Sequence, residues 1–216
     1  LVITGDLTHY GHDQAYQHLG ECLSPVGIPV YPILGNHDHR ERFKAHFPDV
    51  ACDANGFVQY AVTFGDYQAL FLDTNEPGVS WGVFCQERAD WLRARLQEST
   101  APVLIFMHHP FFPIGIRSMD SISLRDTAAF MGAIQGQEHR IRHVFFGHIH
   151  RPILGTFRGI PYSTLRGTNH QVALDLQGDA TCIIGSHEQA QYGVVQLSSE
   201  QILIHIEDYL DCEQRY

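Results

Sequence analysis

Four short polar clusters each follow directly on an apolar run, and that repeated juxtaposition limits what this chain can become. Gly5-Asp6 follows residues 1–4, Asn36-His37-Asp38 follows residues 30–34, His108-His109 follows residues 103–107, and His148-Ile149-His150 follows residues 141–146. Compact apolar runs of this length bounded by turn residues read as buried strands. In open α/β sheets ligands bind beyond the carboxyl ends of the strands, where the connecting loops converge. Four separate strands can therefore deliver oxygen and nitrogen atoms to one point.

The intervening segments supply the rest of an α/β fold. Ala15, Tyr16, Leu19, Cys22 and Leu23 recur at helical spacing, as do Ala89, Leu92 and Leu96 within residues 86–96, and a further helix is predicted over 127–134. Residues 57–64 and 68–72 flank Gly65-Asp66 and predict a hairpin. Residues 111–124 form a long connection of the kind that often carries binding groups. Beyond His150 the pattern changes to short strands at 153–157, 162–165, 172–176, 192–197 and 202–207, almost without helix. The expectation is an α/β fold with two packed mixed β-sheets flanked by helices, forming a single domain over residues 1–216.

Charge and composition narrow the function. The 216 residues carry 24 Asp plus Glu against 14 Lys plus Arg, a formal charge of -10, which opposes binding to a phosphate backbone and makes nucleic acid an unlikely partner. Fifteen His exceed all Lys and Arg together, and a neutral imidazole is a common ligand of borderline divalent metals. Cys22, Cys52, Cys85, Cys182 and Cys212 contain no CxxC pair, so neither a disulfide framework nor a thiolate zinc site is expected, and a reducing, cytoplasmic setting is favoured. No run approaches about 18 apolar residues, so no membrane partner is expected.

The strand-end clusters form a mixed set of carboxylate, amide and imidazole without thiolate. Such a set suits Mn, Fe, Zn or Co without choosing among them. Asp6 has the chemistry of a bridge between two cations held about 3.5–4 Å apart. Taken alone, each cluster has an ordinary reading: Asp6 in an Asx turn or helix cap, Asn36, His37 and Asp38 in an exposed turn, and His148 and His150 on a surface strand. Their occurrence together shifts the balance. His148 and His150, two residues apart, share one face of an extended segment, whereas His108 and His109 point opposite ways. His108 is accordingly the favoured ligand, and His109 is expected to orient a ligand from behind.

The strings GD at 5–6, GNHD at 35–38, HH at 108–109 and GHIH at 147–150 resemble, in order and approximate spacing, the calcineurin-like metallophosphoesterase superfamily. The stretches GDLTHYGHDQAY, HHPFFPIGIRSMDSISL and NHQVAL are similar to bacterial class III cyclic nucleotide phosphodiesterases and related glycerophosphodiesterases. The resemblance implies an αββα sandwich, two divalent metal ions, and hydrolysis of a small-molecule phosphodiester by direct transfer to metal-activated water, without a phospho-enzyme. It makes Asp6 the bridging carboxylate, places Asn36, His108 and His148 on one metal and His150 on the other, and sets His37 beside the scissile phosphate. Asp38 would hold the His37 imidazole or cap the helix that follows. The family's first motif, Asp-x-His after the opening strand, is absent, and since a βαβ unit needs about 30 residues, the hypothesis is that about 30 to 45 residues precede Leu1 in the natural protein.

For substrate contacts the expected residues are Phe111, Phe112 and Met119 against an apolar group, Asp120, Asn169 or His170 on a hydroxyl, and Arg117 and Arg166 as anion partners; the aromatics have an equal alternative as anchors of the long loop. A phosphomonoesterase or nuclease of the same superfamily, or a non-catalytic scaffold with an incomplete metal site, are the alternatives. Residues 197–216 are an expected oligomerisation tail, giving a homo-oligomer.

Overall fold

The most apolar runs become the inner strands of one sheet. A computed structural model describes residues 1–209. In chain order its first elements are β1 (Val2–Ile3), α1 (Asp13–Leu23), β2 (Tyr31–Pro32), α2 (Arg40–His46), β3 (Tyr60–Phe64), β4 (Tyr67–Leu72), β5 (Gly82–Val83), α3 (Gln86–Glu98) and β6 (Val103–Met107). There follow α4 (Arg117–Asp120), β7 (Leu124–Arg125), α5 (Ala128–Ile134), β8 (Ile141–Phe146), β9 (Ile153–Phe157), β10 (Ile160–Thr164), β11 (Gln171–Val172), β12 (Gly185–Ser186), β13 (Gln191–Leu197) and β14 (Ile202–Asp208).

Six strands form a mixed sheet in the order β3-β4-β6-β8-β10-β9. Strands β4, β6, β8 and β10 run parallel, with β3 and β9 antiparallel at the two edges. Parallel strands are covered on both faces, which explains why all five residues of β6 are buried. On one face Leu92 and Leu96 of α3 and Phe130 and Ile134 of α5 pack against Leu70, Ile105 and Val144. On the other, Tyr16 of α1 and Phe43 of α2 join Ala69, Leu104 and Phe106. Leu197, Ile202 and Ile204 of the β13–β14 hairpin cover part of that same face. The result is an α/β sandwich of mixed sheets flanked by helices, in which the second layer is made of short two-strand ladders, β1–β2 and β13–β14.

Cross-strand aromatic packing fixes the register that the site depends on. Tyr60, Phe71, Phe106 and Phe145, one from each of β3, β4, β6 and β8, are paired neighbours with successive ring centroids 4.7, 4.9 and 4.7 Å apart. One step further, Leu72 lies opposite Met107, and Met107 opposite Phe146. The next residues, Asp73, His108 and Gly147, therefore emerge side by side at the carboxyl edge. A slip of one residue in either pairing would turn His108 or His148 to the wrong face.

Two sequence expectations change in detail. The strand expected at 172–176 is limited to β11, its pairing ending with the bond from Ala173 N to the Ile184 carbonyl at 2.8 Å, and Leu174 and Leu176 are exposed. The strand at 30–34 shortens to β2, which pairs with the equally short β1 through Tyr31 N to the Leu1 carbonyl and Ile33 N to the Ile3 carbonyl, Pro32 lying between the two donors. The expected oligomerisation tail is described as far as Tyr209 and includes β14; residues 210–216 lie outside the described part.

Candidate metal centre

The strand ends reach one point through backbone conformations that most residues avoid. Asp6, His148 and His150 all have positive φ, at 52°, 63° and 50°. Non-glycine residues held there are strained by order 1–3 kcal/mol and persist only where the surroundings over-determine them. Gly35 and Gly147 allow the close approach this requires: a Cβ on Gly35 would collide with the Asp6 carboxylate, and one on Gly147 with the Thr4 carbonyl.

Asp6, Asn36, His108 and His148 converge as the strand pattern implies. His108 Nδ1 lies 2.7 Å from the Thr4 carbonyl, which can only accept, so this nitrogen carries a proton. Its Nε2 faces Asn36 Oδ1 at 3.2 Å and Asp6 Oδ2 at 3.3 Å. In neutral His108 a lone pair would therefore confront two acceptor oxygens, and only a proton or a cation among them relieves that conflict. His148 Nδ1 approaches the same Asn36 oxygen at 3.0 Å, while its buried Nε2 has no partner. The rings of His108 and His148 are 5.1 Å apart.

The electrostatics have the same cause. Burial opposes ionisation of Asp6, yet His108, through charge and hydrogen bond, and the His37 backbone N–H hold its carboxyl far below the usual range. Burial likewise opposes charging of His108, but Asp6 and the Thr4 carbonyl raise it above its ordinary value. His148 is pushed down to about 3 by burial, with His108 adding to the effect. It is a neutral imidazole at physiological pH, the form that ligates metals.

His109 joins the same group: ligand atoms of His108, His109 and His148 all lie within 4.8 Å of one another. Its Nδ1 contacts Thr74 Oγ1 at 2.8 Å, its buried Nε2 has no partner, and burial holds its imidazole well below the ordinary value. This buried triad, facing an ionised carboxylate and an amide oxygen, has the donor chemistry of a divalent-metal site. His150 stands to one side. Its Nδ1 meets the His170 carbonyl at 2.9 Å and its ring lies 4.5 Å from the His170 ring. Burial lowers it, and it lies within electrostatic reach of Asp6 and His108.

His37 is held by the loop after β1 rather than by Asp38, a correction to the sequence expectation. Its Nδ1 donates to the His9 carbonyl at 2.8 Å, and its ring stacks on that of His9 at 5.0 Å. The buried Asp38 carboxylate accepts instead from the backbone N–H groups of Leu7, Thr8 and Gly35 at 3.0, 3.1 and 2.9 Å. It also accepts from the hydroxyls of Tyr16 and Thr8. Asp38 thus clasps the Asp6 loop to the Asn36 loop. Nor does it cap α2, since the capping side chain is His39.

The expected substrate aromatics are also corrected. Phe111 and Phe112 are 3% and 6% exposed and pack against Phe146 and Phe157 inside the core; Met119, 2% exposed, joins Ile149 and Val172. Burying these large apolar groups is worth more than exposing them at a mouth, so they anchor the long loop. Asp120 is engaged by the backbone N–H groups of Ile114 and Gly115. Arg166 is paired with Glu188 and Asp208. Arg117, Asn169 and His170 are exposed.

Sequence reasoning passed over Asp73, Thr74 and Asn75, all fully buried after β4. Thr74 holds His109, and Asn75 Nδ2 donates to the carbonyls of Gly35 and Asp38 at 2.7 and 3.0 Å. The signal was present, since a polar cluster after an apolar strand is the pattern that marked the other four.

A mixed sheet with a histidine-rich metal site at its carboxyl edge defines a metal-associated hydrolase fold, and residues 1–152 match the calcineurin-like phosphoesterase family, to which this chain belongs. It is similar to a probable cyclic nucleotide phosphodiesterase of Rhodopseudomonas palustris, 41% identical over 209 residues, covering 95% of this chain and 76% of the relative. A probable glycerophosphodiester phosphodiesterase of Arcobacter nitrofigilis is 31% identical over 182 residues, covering 83% of this chain and 67% of that protein. Among solved structures, a dimetal phosphatase from Danio rerio shares the fold with TM-score 0.62 at 19% identity, covering 77% of this chain and 71% of that one.

Proposed function

We propose that this chain hydrolyses a small-molecule phosphodiester, with two divalent ions held between Asp6, Asn36, His108, His148 and His150. The observation that carries the reading is the convergence of Asp6 Oδ2, Asn36 Oδ1, His108 Nε2 and His148 Nδ1 on one another. Asp6 would bridge, Asn36, His108 and His148 would hold one ion, and His150, oriented by the His170 carbonyl, would contribute to the other. His109 would keep the His148 ring in place. When bound, the ions would supply charge for the phosphoryl oxygens and lower the pKa of an attacking water.

The remaining chemistry belongs to the chain. With Nδ1 tied to the His9 carbonyl, His37 has Nε2 left to contact a phosphate oxygen or pass a proton to the departing alkoxide. Thr4, through its carbonyl, fixes the His108 tautomer so that Nε2 stays available. No side-chain nucleophile is required. The relatives described as probable phosphodiesterases support a diester over a monoester. The sparse basic residues agree, because a diester carries less negative charge than a monoester. Exposed Tyr192, Val194, Val195 and Leu203 on β13–β14 support pairing of copies there, with a solution mass near twice that of one chain as the check.

A panel of p-nitrophenyl mono- and diesters, assayed with Mn, Fe, Zn or Co, tests the reading. Turnover of diesters well above monoesters, lost on chelation and restored by metal, is expected. Preferential monoester turnover would replace the diesterase assignment, and a folded, metal-loaded protein inert to every ester would mark a scaffold.

A further inference from the structure

The loop of residues 8–12 combines a fixed backbone with bare aromatic side chains. Thr8 N binds Asp38 at 3.1 Å, Gly11 N binds Thr8 Oγ1 at 2.9 Å, and Arg42 Nη1 donates to the Gly11 carbonyl at 3.0 Å. Gly11, at φ +63°, packs so closely on His39 that a Cβ would collide with it. Upon this pinned backbone His9, Tyr10 and His12 are exposed, Tyr10 at 71%. Their rings continue outward from the site. His37 stacks on His9 at 5.0 Å and 16°, His9 meets Tyr10 at 4.1 Å, and Tyr10 meets His12 at 5.8 Å.

An ordered loop that leaves a large amphipathic ring in water gains nothing for folding from that ring. Such a ring has recognition value, because a planar group stacks on it at little further entropic cost. Its continuity with His37 puts it where the organic part of a phosphodiester would lie once the phosphate is at the metals. We propose that His9 and Tyr10 form a stacking wall that makes the site selective for phosphodiesters carrying a nucleobase or comparable planar ring over those carrying glycerol or a simple alkyl group. This rests on the phosphodiesterase reading of the same site. The buried positions of Phe111 and Phe112 strengthen it, since they withdraw the other aromatic candidates.

The test uses two esters with one leaving group, thymidine 5′-(p-nitrophenyl) phosphate and methyl p-nitrophenyl phosphate, on the metal-loaded wild type, Tyr10→Ala and Tyr10→Phe. Tyr10 is exposed, so both variants should fold, with circular dichroism and melting temperature as the check. The ratio of kcat/KM between the two esters should favour the thymidine ester in the wild type, fall about fivefold or more in Tyr10→Ala, and be retained in Tyr10→Phe, as the lower end of base–aromatic stacking requires. Calorimetric binding of thymidine 5′-monophosphate against methyl phosphate gives a readout independent of turnover and should show the same loss and rescue. An unchanged ratio and unchanged binding in Tyr10→Ala would overturn the proposal. If neither ester is hydrolysed but Tyr10→Ala weakens only thymidine monophosphate binding, the stacking wall stands and the hydrolase reading fails.

Discussion

Replacing Asp38 with Ala tests the assignment of this carboxylate as a clasp between two ligand-bearing loops. Asp38 accepts five hydrogen bonds, three from backbone N–H groups and two from hydroxyls. At about 1.5 kcal/mol each, the low end for bonds to a charged group, their loss amounts to about 7 kcal/mol. Burial raises the carboxyl to about 6 against those bonds, so the cost of keeping it ionised at neutral pH offsets part of that loss. A net destabilisation of several kcal/mol remains, on the order of 3–5 for breaking a buried charged network and a large part of the stability of an ordinary domain. The sign with pH follows from the same shift. The folded chain holds this proton more tightly than the unfolded chain, so the contribution from this group falls as pH rises from about 4 to about 6. Urea unfolding of wild type, Asp38→Ala and Asp38→Asn at pH 7 measures the effect, with Asn intermediate because it keeps one acceptor oxygen. A loss below about 1 kcal/mol in Asp38→Ala would refute the clasp. If Asp38→Asn keeps full stability and displaces only the pH–rate profile, the carboxylate orients His37 instead.

Two further outcomes are expected. Gly35→Ala places a methyl against the Asp6 carboxylate and the His108 ring, and should weaken divalent-metal affinity about 10-fold or more in a competitive chelator titration, whereas Gly27→Ala, with open space around it, should not. His143, remote from the site and 2.8 Å from Ser163 Oγ, is pushed down to about 4 by burial. The unfolded chain therefore protonates first, and stability is lost as pH falls from about 6.5 to about 4, by about 3 kcal/mol; His143→Gln should flatten that part of the pH–stability curve, and an unchanged slope would contradict it.

What could be read from the sequence was set by burial on two faces. Strand β6 was legible to the residue because a parallel strand covered on both sides is an uninterrupted apolar run, and β8 because its apolar half, Val144-Phe145-Phe146, leads straight into its polar cluster. The hairpin at Gly65-Asp66 was legible from turn chemistry. The role of Asp38 was not, because its partners come from Leu7, Thr8 and Tyr16, residues distant in sequence and met only through the fold. Nor was the carbonyl of His9, a group every residue type carries, recognisable as the partner of His37. Phe111 and Phe112 show a different limit: an aromatic pair after a strand can turn inward or outward, and only the neighbouring Phe146, Phe157 and Tyr162 decide it.

Crystals of the protein grown with manganese and measured at an anomalous wavelength test the metal centre most directly. The arrangement of Asp6, Asn36, His108 and His148 predicts anomalous density among those side chains, at bonding distance from their oxygen and nitrogen atoms. Well-ordered crystals in which manganese is absent from that position, with Asp6, Asn36, His108 and His148 keeping only one another as partners, would contradict it.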